Sequence, residues 1–184
     1  LPELAAYDGE LPLIATNRAK WEGGDAPDDG RLEALADAAT HESVVAVDIE
    51  LASLEDGAGS AVLDAADDHD TTVIVSTHDF EMTPSADEID RLLTDACEYG
   101  DIGKLAVTAE SRSDTLTLLH KTRAHADRGE KIATMAMGEI GGHTRAIAGI
   151  YGSCIGYAPV EASRATAPGQ YDLETLARLV DDLS

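Results

Sequence analysis

Apolar runs of strand length alternate with helix-length amphipathic segments along most of the chain. The six predicted strands are residues 11–16, 44–51, 72–77, 102–108, 131–137 and 154–160. The six predicted helices are residues 31–40, 60–69, 86–99, 113–127, 144–151 and 172–183. Strands that are apolar throughout and are joined by helices are typical of a parallel sheet covered on both faces. The pattern therefore predicts an α/β fold, and no linker divides residues 1–184 into separate domains.

Two architectures fit this order of elements: an open doubly wound sheet and a closed (β/α)8 barrel. The glycine pattern of a dinucleotide site is absent after the first strand. Polar residues instead follow the carboxyl ends of several strands, which favours a TIM barrel. Six strands do not close an eight-stranded barrel, and the chain begins at Leu1. We therefore expect the first one or two strands to be missing from the given sequence.

The charge of the chain is strongly acidic. Its 36 acidic and 13 basic residues give a formal net charge of −23. Such a surface repels nucleic acid and anionic membranes, so we expect neither as a partner. Because the acidic residues are spread along the chain, the composition predicts adaptation to high intracellular salt, where screening weakens self-repulsion.

The two cysteines and the hydropathy of the chain indicate where the protein is located and whether it binds a metal or a cofactor. Cys97 and Cys154 lack metal-ligand spacing and fit free thiols of a cytoplasmic protein. The sequence contains no signal peptide and no apolar run of membrane-spanning length. We expect a cytoplasmic protein that uses no metal and no cofactor.

A lysine stands inside the fourth apolar run. Alternation along that strand puts Lys104, Ala106 and Thr108 on one face and Leu105 and Val107 on the other. A buried ammonium is costly, and lowering its pKa makes a neutral amine that attacks carbonyl groups. A strand-edge lysine that reaches solvent is the alternative interpretation.

Two further segments carry candidate chemistry. His78 follows the third apolar run and shares the parity of Ile74 and Ser76, so it should face the same side as they do. The loop after the first strand holds Arg18 and Glu22, followed by a Gly-Gly turn. Taken singly, these features also fit a structural histidine and an ordinary polar loop.

Six motifs follow one another along the chain. They are TNRAKWEGG at 16–24, DIEL at 48–51, STHDF at 76–80, KLAV at 104–107, Met137-Gly138 followed by Arg145, and ATAPGQ at 165–170. Taken together, these motifs resemble those of type I 3-dehydroquinate dehydratase. Their order and spacing match over about residues 11–179. The family's Glu-x-Arg substrate-binding pair has no counterpart before Arg18.

The resemblance implies a (β/α)8 barrel that dehydrates 3-dehydroquinate to 3-dehydroshikimate through a Schiff base, without a cofactor and often as a homodimer. Lys104 would form the imine, His78 would be the general acid and base, and Glu22 would assist it. The implied substrate-binding residues are Arg18, Arg145, Thr166 and Gln170. Thr166 replaces the serine usual in the family and keeps its hydroxyl.

The residue types suit this chemistry. Loss of water from a β-hydroxy ketone begins with removal of a proton beside the carbonyl, and a protonated imine makes that proton more acidic. Histidine has a pKa suited to moving protons in both directions. A Schiff-base aldolase and a non-catalytic carboxylate-binding relative are the alternatives.

Overall fold

A five-stranded parallel sheet forms the centre of the molecule. The computed structural model describes residues 2–183. The strands are β1 (Leu13–Thr16), β2 (Val44–Glu50), β3 (Thr72–Asp79), β4 (Ile102–Thr108) and β5 (Ile132–Met137). They lie side by side in sequence order, and each pair is parallel. This arrangement confirms the predicted α/β architecture for the first five strands.

Helices connect successive strands and cover the sheet. They are α1 (Pro2–Ala5), α2 (Arg31–Ala39), α3 (Leu51–Glu55), α4 (Ser60–Asp68), α5 (Ala86–Tyr99), α6 (Arg112–Asp127), α7 (Gly138–Gly141), α8 (Thr144–Ile147) and α9 (Leu173–Leu183). Short 3-10 helices occur at Lys20–Glu22, Ala148–Tyr151 and Ala162–Arg164. In the range that the structure describes, none of these helices combines the length and apolar content needed to cross a bilayer.

The two faces of β4 have different surroundings, as the alternation of its residues predicts. Leu105 and Val107 pack with Leu93 and Leu118 in the core beneath α5 and α6. Ala106 turns the other way and packs with Met135 of β5. Because side chains alternate along a strand, Lys104 faces the Ala106 side. The aliphatic core thus lies between sheet and helices, and the opposite face is left for polar chemistry.

Helix ends follow local capping rules. The Ser85 side chain accepts a hydrogen bond of 3.3 Å from the Glu88 backbone N–H and so begins α5 where the sequence predicts. A full capping box between Ser111 and Asp114 begins α6 at Arg112, one residue earlier than predicted. These caps set where the crossover helices start against the sheet.

The predicted sixth strand at residues 154–160 is wrong. The segment meets β5 only at its start, where Cys154 N–H donates to the Ile132 carbonyl at 2.8 Å. Beyond that point Gly156 lacks a packing side chain, and Pro159 has no N–H to donate to a ladder. The residues are half-buried or exposed and form no strand. The apolar composition of the segment therefore does not produce sheet structure here.

Other boundaries differ modestly from the prediction. The predicted helix at 144–151 is two pieces, because α8 ends at Ile147 and Ala148–Tyr151 is a 3-10 helix. The first strand is two residues shorter than predicted, and β3 extends two residues further, so His78 lies within it. Strands preceding the given sequence stay a prediction.

Candidate active site

One cavity collects every predicted site residue. It has a volume of about 780 Å³ and opens above the carboxyl ends of the strands. Its lining includes Arg18, Glu22, His78, Lys104, Arg145, Thr166 and Gln170. Five separate segments of the chain bring these side chains together: the loop after β1, β3, β4, α8 and the turn before α9. Neighbouring positions in the chain therefore do not explain the cluster.

Lys104 lies deep in this cavity. It is the third residue of β4, only 6% of it is exposed, and in register it pairs with Ser76 of β3. Its Nζ donates to Asp48 Oδ2 at 2.8 Å and lies 4.7 Å from the centre of the Tyr157 ring. Burial lowers the pKa of Lys104, and the Asp48 charge opposes that shift in part. The interpretation of Lys104 as a lysine reaching solvent is therefore wrong.

Asp48 of β2 is the carboxylate that meets Lys104. Its Oδ1 accepts from Arg18 Nη2 at 2.5 Å and from Ser76 Oγ at 2.7 Å. Burial alone would raise the pKa of Asp48, but the charges of Lys104 and Arg18 outweigh burial and lower it. Asp48 is therefore ionised and held from three sides.

Glu22 and His78 form a hydrogen-bonded pair at the cavity wall. His78 Nδ1 lies 2.9 Å from Glu22 Oε2, and the imidazole stacks on Phe80 at 6.2 Å between ring centres. Burial raises the pKa of Glu22 to about 8. Burial and the charges of Lys104 and Arg18 lower the pKa of His78 to about 3. At neutral pH the pair therefore carries no net charge, because the carboxyl of Glu22 is protonated and the imidazole of His78 is neutral.

The loop that carries Arg18 and Glu22 is anchored from below. Glu50 Oε1 accepts the Ala19 backbone N–H at 2.9 Å, and Glu50 Oε2 accepts from Arg31 Nη1 at 2.6 Å. The chain then turns sharply at Gly24, where an added Cβ would lie 2.0 Å from the Arg18 carbonyl oxygen. Only glycine allows this approach, so the Gly-Gly motif closes the loop over the cavity.

Arg18 is surrounded by carboxylates. Besides Asp48, its guanidinium lies 3.1 Å from Glu50 and 3.6 Å from Glu22. Burial alone would lower the pKa of Arg18, but these three carboxylates raise it. Its predicted role in substrate binding stays a prediction. The observed contacts make it the cation of an acidic cluster beside Lys104.

Arg145 has the opposite environment. It is 8% exposed, its Nη2 donates only a long 3.4 Å hydrogen bond to the Pro168 carbonyl, and its Nε has no partner. Among the described side chains, residues 4–183, no carboxylate forms an ion pair with it, and burial lowers its pKa. A buried guanidinium without a counter-ion is suited to an anionic ligand.

Thr166 and Gln170 lie in one turn at the cavity mouth. Gln170 Oε1 accepts from the backbone N–H groups of Thr166 and Ala167, at 2.8 and 3.2 Å. The Pro168 carbonyl accepts the Gly138 N–H at 3.3 Å. The turn is thus tied to the start of α7 beside Arg145.

Four residues around the site had no role in the sequence prediction: Asp48, Glu50, Arg31 and Tyr157. The signal for two of them was present, because Asp48 and Glu50 are charged residues of equal parity in an otherwise apolar strand. The same reasoning that singled out Lys104 applies to them. Arg31 and Tyr157 carried no such pattern. In the described part of the chain, no three histidine, cysteine or acidic residues are grouped to hold a metal ion.

Fold and site together define a parallel α/β enzyme whose ionisable groups meet at the carboxyl ends of the strands. The chain belongs to the type I 3-dehydroquinase family, whose model matches residues 1–183. Its fold is accordingly that of a TIM barrel, and its reaction class is dehydration in the shikimate pathway.

Relatives from halophilic archaea are similar over the whole chain. The 3-dehydroquinate dehydratase of Haloarcula marismortui is 54% identical over 188 residues, which cover 100% of this chain and 82% of the relative. That of Halobacterium salinarum is 50% identical and covers 100% and 83%.

Solved structures of the family have the same fold. The Clostridium difficile type I enzyme, solved with covalently modified comenic acid, superposes with a TM-score of 0.89 at 29% identity, covering 99% of this chain and 72% of that one. The Geobacillus kaustophilus enzyme gives 0.87 at 27%, covering 95% and 68%.

Proposed function

We propose that this enzyme dehydrates 3-dehydroquinate to 3-dehydroshikimate through an imine on Lys104, with His78 moving the protons. One observation carries the proposal: the cavity that contains a buried lysine amine also contains a histidine–carboxyl pair and an arginine that pairs with none of the carboxylates that the structure describes. These are the three functions that the reaction needs, namely a nucleophile, an acid–base group and an anchor for the substrate carboxylate.

Substrate binding is assigned to Arg145, Thr166 and Gln170. The Arg145 guanidinium offers donors that the protein does not use, and a carboxylate can accept two of them side by side. Thr166 and Gln170 lie in the turn above it and supply a hydroxyl and an amide to the substrate hydroxyl groups. Arg18 lines the same cavity and is the second arginine that we assign to substrate binding.

Imine formation requires a neutral amine. A lysine at its ordinary pKa of about 10.4 is only ~0.04% neutral at pH 7. Burial of Lys104 lowers its pKa and increases that fraction. The amine then adds to the ketone carbon, and the carbonyl oxygen leaves as water after taking up two protons.

Proton transfer follows on the imine. The cationic nitrogen withdraws electrons from the adjacent carbon, so its proton becomes acidic enough for His78 to accept. Glu22 fixes the ring through the 2.9 Å hydrogen bond at Nδ1 and leaves Nε2 for the substrate. The same imidazole then returns a proton to the departing hydroxyl, which leaves as water.

We also propose that residues 1–184 form part of a single catalytic domain, that the protein is cytoplasmic and that it is a homodimer.

Borohydride trapping tests the nucleophile. Reduction in the presence of substrate or product should add ligand mass to Lys104, located by peptide mass mapping. Lys104→Ala should give no adduct and no turnover. Lys121→Ala, which removes an amine bound to Asp90 outside the cavity, serves as the matched control and should label like the native enzyme. Unlabelled native protein would refute the imine.

Replacement of His78 separates proton transfer from imine formation. His78→Ala should lower kcat by about 10²–10⁴-fold while the imine can still be trapped. Absorbance of the conjugated enone follows the dehydration directly, and an aldolase would cleave a carbon–carbon bond without producing that product. Full activity in His78→Ala would exclude the histidine as the acid–base group.

A further inference from the structure

The reactive nitrogen has one carboxylate in direct contact. We propose that Asp48 is a catalytic residue: the fixed counter-ion that stays against the Lys104 nitrogen from the resting ammonium through the protonated imine. This inference rests on the proposed imine mechanism and adds a residue to it. Asp48 Oδ2 lies 2.8 Å from Nζ, so it touches the atom at which the covalent bond forms.

The Asp48 carboxylate is built into the site. Its other oxygen accepts hydrogen bonds from Arg18 Nη2 and Ser76 Oγ, and the residue is 3% exposed. These bonds orient the carboxylate across β3, so that Oδ2 points at the lysine of β4. A carboxylate held by three donors does not rotate away when the nitrogen changes its bonding.

The charge balance of imine formation explains why a fixed carboxylate suits this step. An ammonium and a ketone give a protonated imine and water, so the nitrogen carries one positive charge before and after. The C–N bond forms from the amine lone pair, the C–O bond breaks, and both ammonium protons that are lost leave in the water molecule. Asp48 can therefore remain ionised and unmoved throughout, which avoids reorganisation in a buried site.

Asp48 is poorly suited to be the base that frees the amine. Lys104 and Arg18 both favour its charged form, which lowers its pKa and its affinity for a proton. The proton must instead pass to the carbonyl oxygen, with His78 as the acid–base group in reach of the same cavity. Asp48 thus opposes the first event, deprotonation of the amine, and favours the second, formation of the cationic imine.

These opposed effects make a distinctive prediction for Asp48→Asn. Loss of an adjacent opposite charge should lower the pKa of Lys104 by about one unit or more, which increases its neutral fraction about 10-fold or more below that pKa. Acetic anhydride, an uncharged acylating reagent, should therefore modify Lys104 faster at a given pH. Turnover and the yield of borohydride-trapped imine should nevertheless fall.

The groups that face the amine define the controls. Arg18 and Glu22 face the Lys104 amine from the loop after β1, and His78 faces it from β3. The Tyr157 ring faces it from the segment that follows the 3-10 helix Ala148–Tyr151. Asp25→Asn makes the same chemical change in an exposed carboxylate that lines the same cavity. It should leave the pKa of Lys104, read from the pH dependence of acylation, at the native value.

Asp48→Glu retains the charge and is the second variant. It should keep the pKa of Lys104 near the native value while kcat falls, because the carboxylate is displaced by one methylene. If Asp48→Asn does not fold, this variant decides the question: a Lys104 acylated about 10-fold faster in Asp48→Glu would overturn the proposal.

The remaining outcomes separate the two proposals. Native enzyme that yields no borohydride adduct would refute the imine mechanism itself. Native enzyme that is trapped at Lys104, together with a folded Asp48→Asn variant whose Lys104 pKa and imine yield are unchanged, would refute only the counter-ion role.

Discussion

At the scale of single residues, the site is a set of buried charges of which all but one are paired. Lys104 meets Asp48, Arg31 meets Glu50, and Arg18 lies among carboxylates. Arg145 is the exception, since none of the described carboxylates, at residues 4–183, pairs with its guanidinium. A buried unpaired charge is costly to the folded state, and an anionic ligand relieves that cost. For this reason we assign the substrate carboxylate to Arg145.

Arg145→Gln tests this assignment. A hydrogen bond to a charged group contributes about 1.5–3 kcal/mol, so KM should rise about 10- to 100-fold. Thermal stability should be unchanged or higher, because the variant removes a charge that no carboxylate balances. Arg178→Gln, at an exposed position of α9 beside Asp182, is the matched control and should leave KM unaltered. An unchanged KM in Arg145→Gln would contradict the assignment.

Glu22 should make stability depend on pH in a defined window. Its folded pKa of about 8 lies above its ordinary value of 4.5, so between these values the folded state holds a proton that the unfolded chain has released. Stability then falls as pH rises. His78 acts in the opposite direction between pH 3 and 6.5, because burial lowers its pKa to about 3. Between pH 6.5 and 8 the effect of Glu22 is therefore no longer offset by that of His78.

In that window the native enzyme should lose about 1.4 kcal/mol of unfolding free energy per pH unit relative to Glu22→Gln. Urea unfolding at fixed KCl across the window measures it, and the difference between the two proteins cancels general charge repulsion. Glu161→Gln removes an exposed carboxylate and should follow the native curve. Parallel curves for the native enzyme and Glu22→Gln would exclude a raised pKa at Glu22.

At the scale of elements, the loop after β1 depends on β2 and α2 for its shape. Glu50 at the end of β2 accepts the Ala19 N–H, and Arg31 at the start of α2 holds Glu50 and also donates to the Asn17 carbonyl at 3.2 Å. Both charged side chains are almost fully buried. The Glu50–Arg31 pair therefore fixes the loop that carries Arg18 and Glu22 relative to β2 and α2.

Arg31→Met should destabilise the protein by about 3–5 kcal/mol, because it leaves a buried carboxylate without its main partner. Activity should fall with it, since the loop loses its anchor. Arg91→Met is the matched control: Arg91 of α5 also pairs with carboxylates, Glu88 and Asp95, but about half of it is exposed. Exposed pairs are screened by water, so that change should have little effect. Equal losses in both variants would show that burial of the pair is unimportant.

At the scale of the whole molecule, the net charge of −23 controls the conditions under which the fold is stable. Mutual repulsion between acidic groups acts over about 10 Å at 0.1 M salt and about 3 Å at 1 M salt. The relatives from Haloarcula and Halobacterium are consistent with a protein adapted to concentrated salt.

The melting temperature should therefore rise with KCl concentration and level off in molar salt. For a chain of this size, each kcal/mol gained at the melting point raises Tm by about 2–4 °C. Calorimetry against KCl measures the rise, and sucrose at matched water activity controls for effects unrelated to charge. Greater stability in dilute buffer would contradict adaptation to salt.

Local patterns were enough to predict much of this protein. Continuous apolar runs identified five strands. Parity along those strands predicted the faces of Lys104 and His78, because side-chain direction follows from strand geometry alone. The apolar run at 154–160 misled, since composition does not determine whether a neighbouring backbone is available for pairing. The seven predicted site residues came from the order and spacing of the six motifs along the chain, which can be read without any interatomic distance.

What only the tertiary structure decided was the pairing of charges. Asp48 and Lys104 are 56 positions apart in the chain, yet the Lys104 Nζ donates a hydrogen bond of 2.8 Å to Asp48 Oδ2. Such pairings depend on register between strands and on the depth of each side chain, and both are set by packing of the whole sheet. The sequence by itself determined which residue types could react. The fold determined that Lys104 is buried against Asp48 and that none of the described carboxylates reaches Arg145. It also determined how burial shifts the pKa of these groups, because desolvation and charge separation exist only once distant segments are packed together.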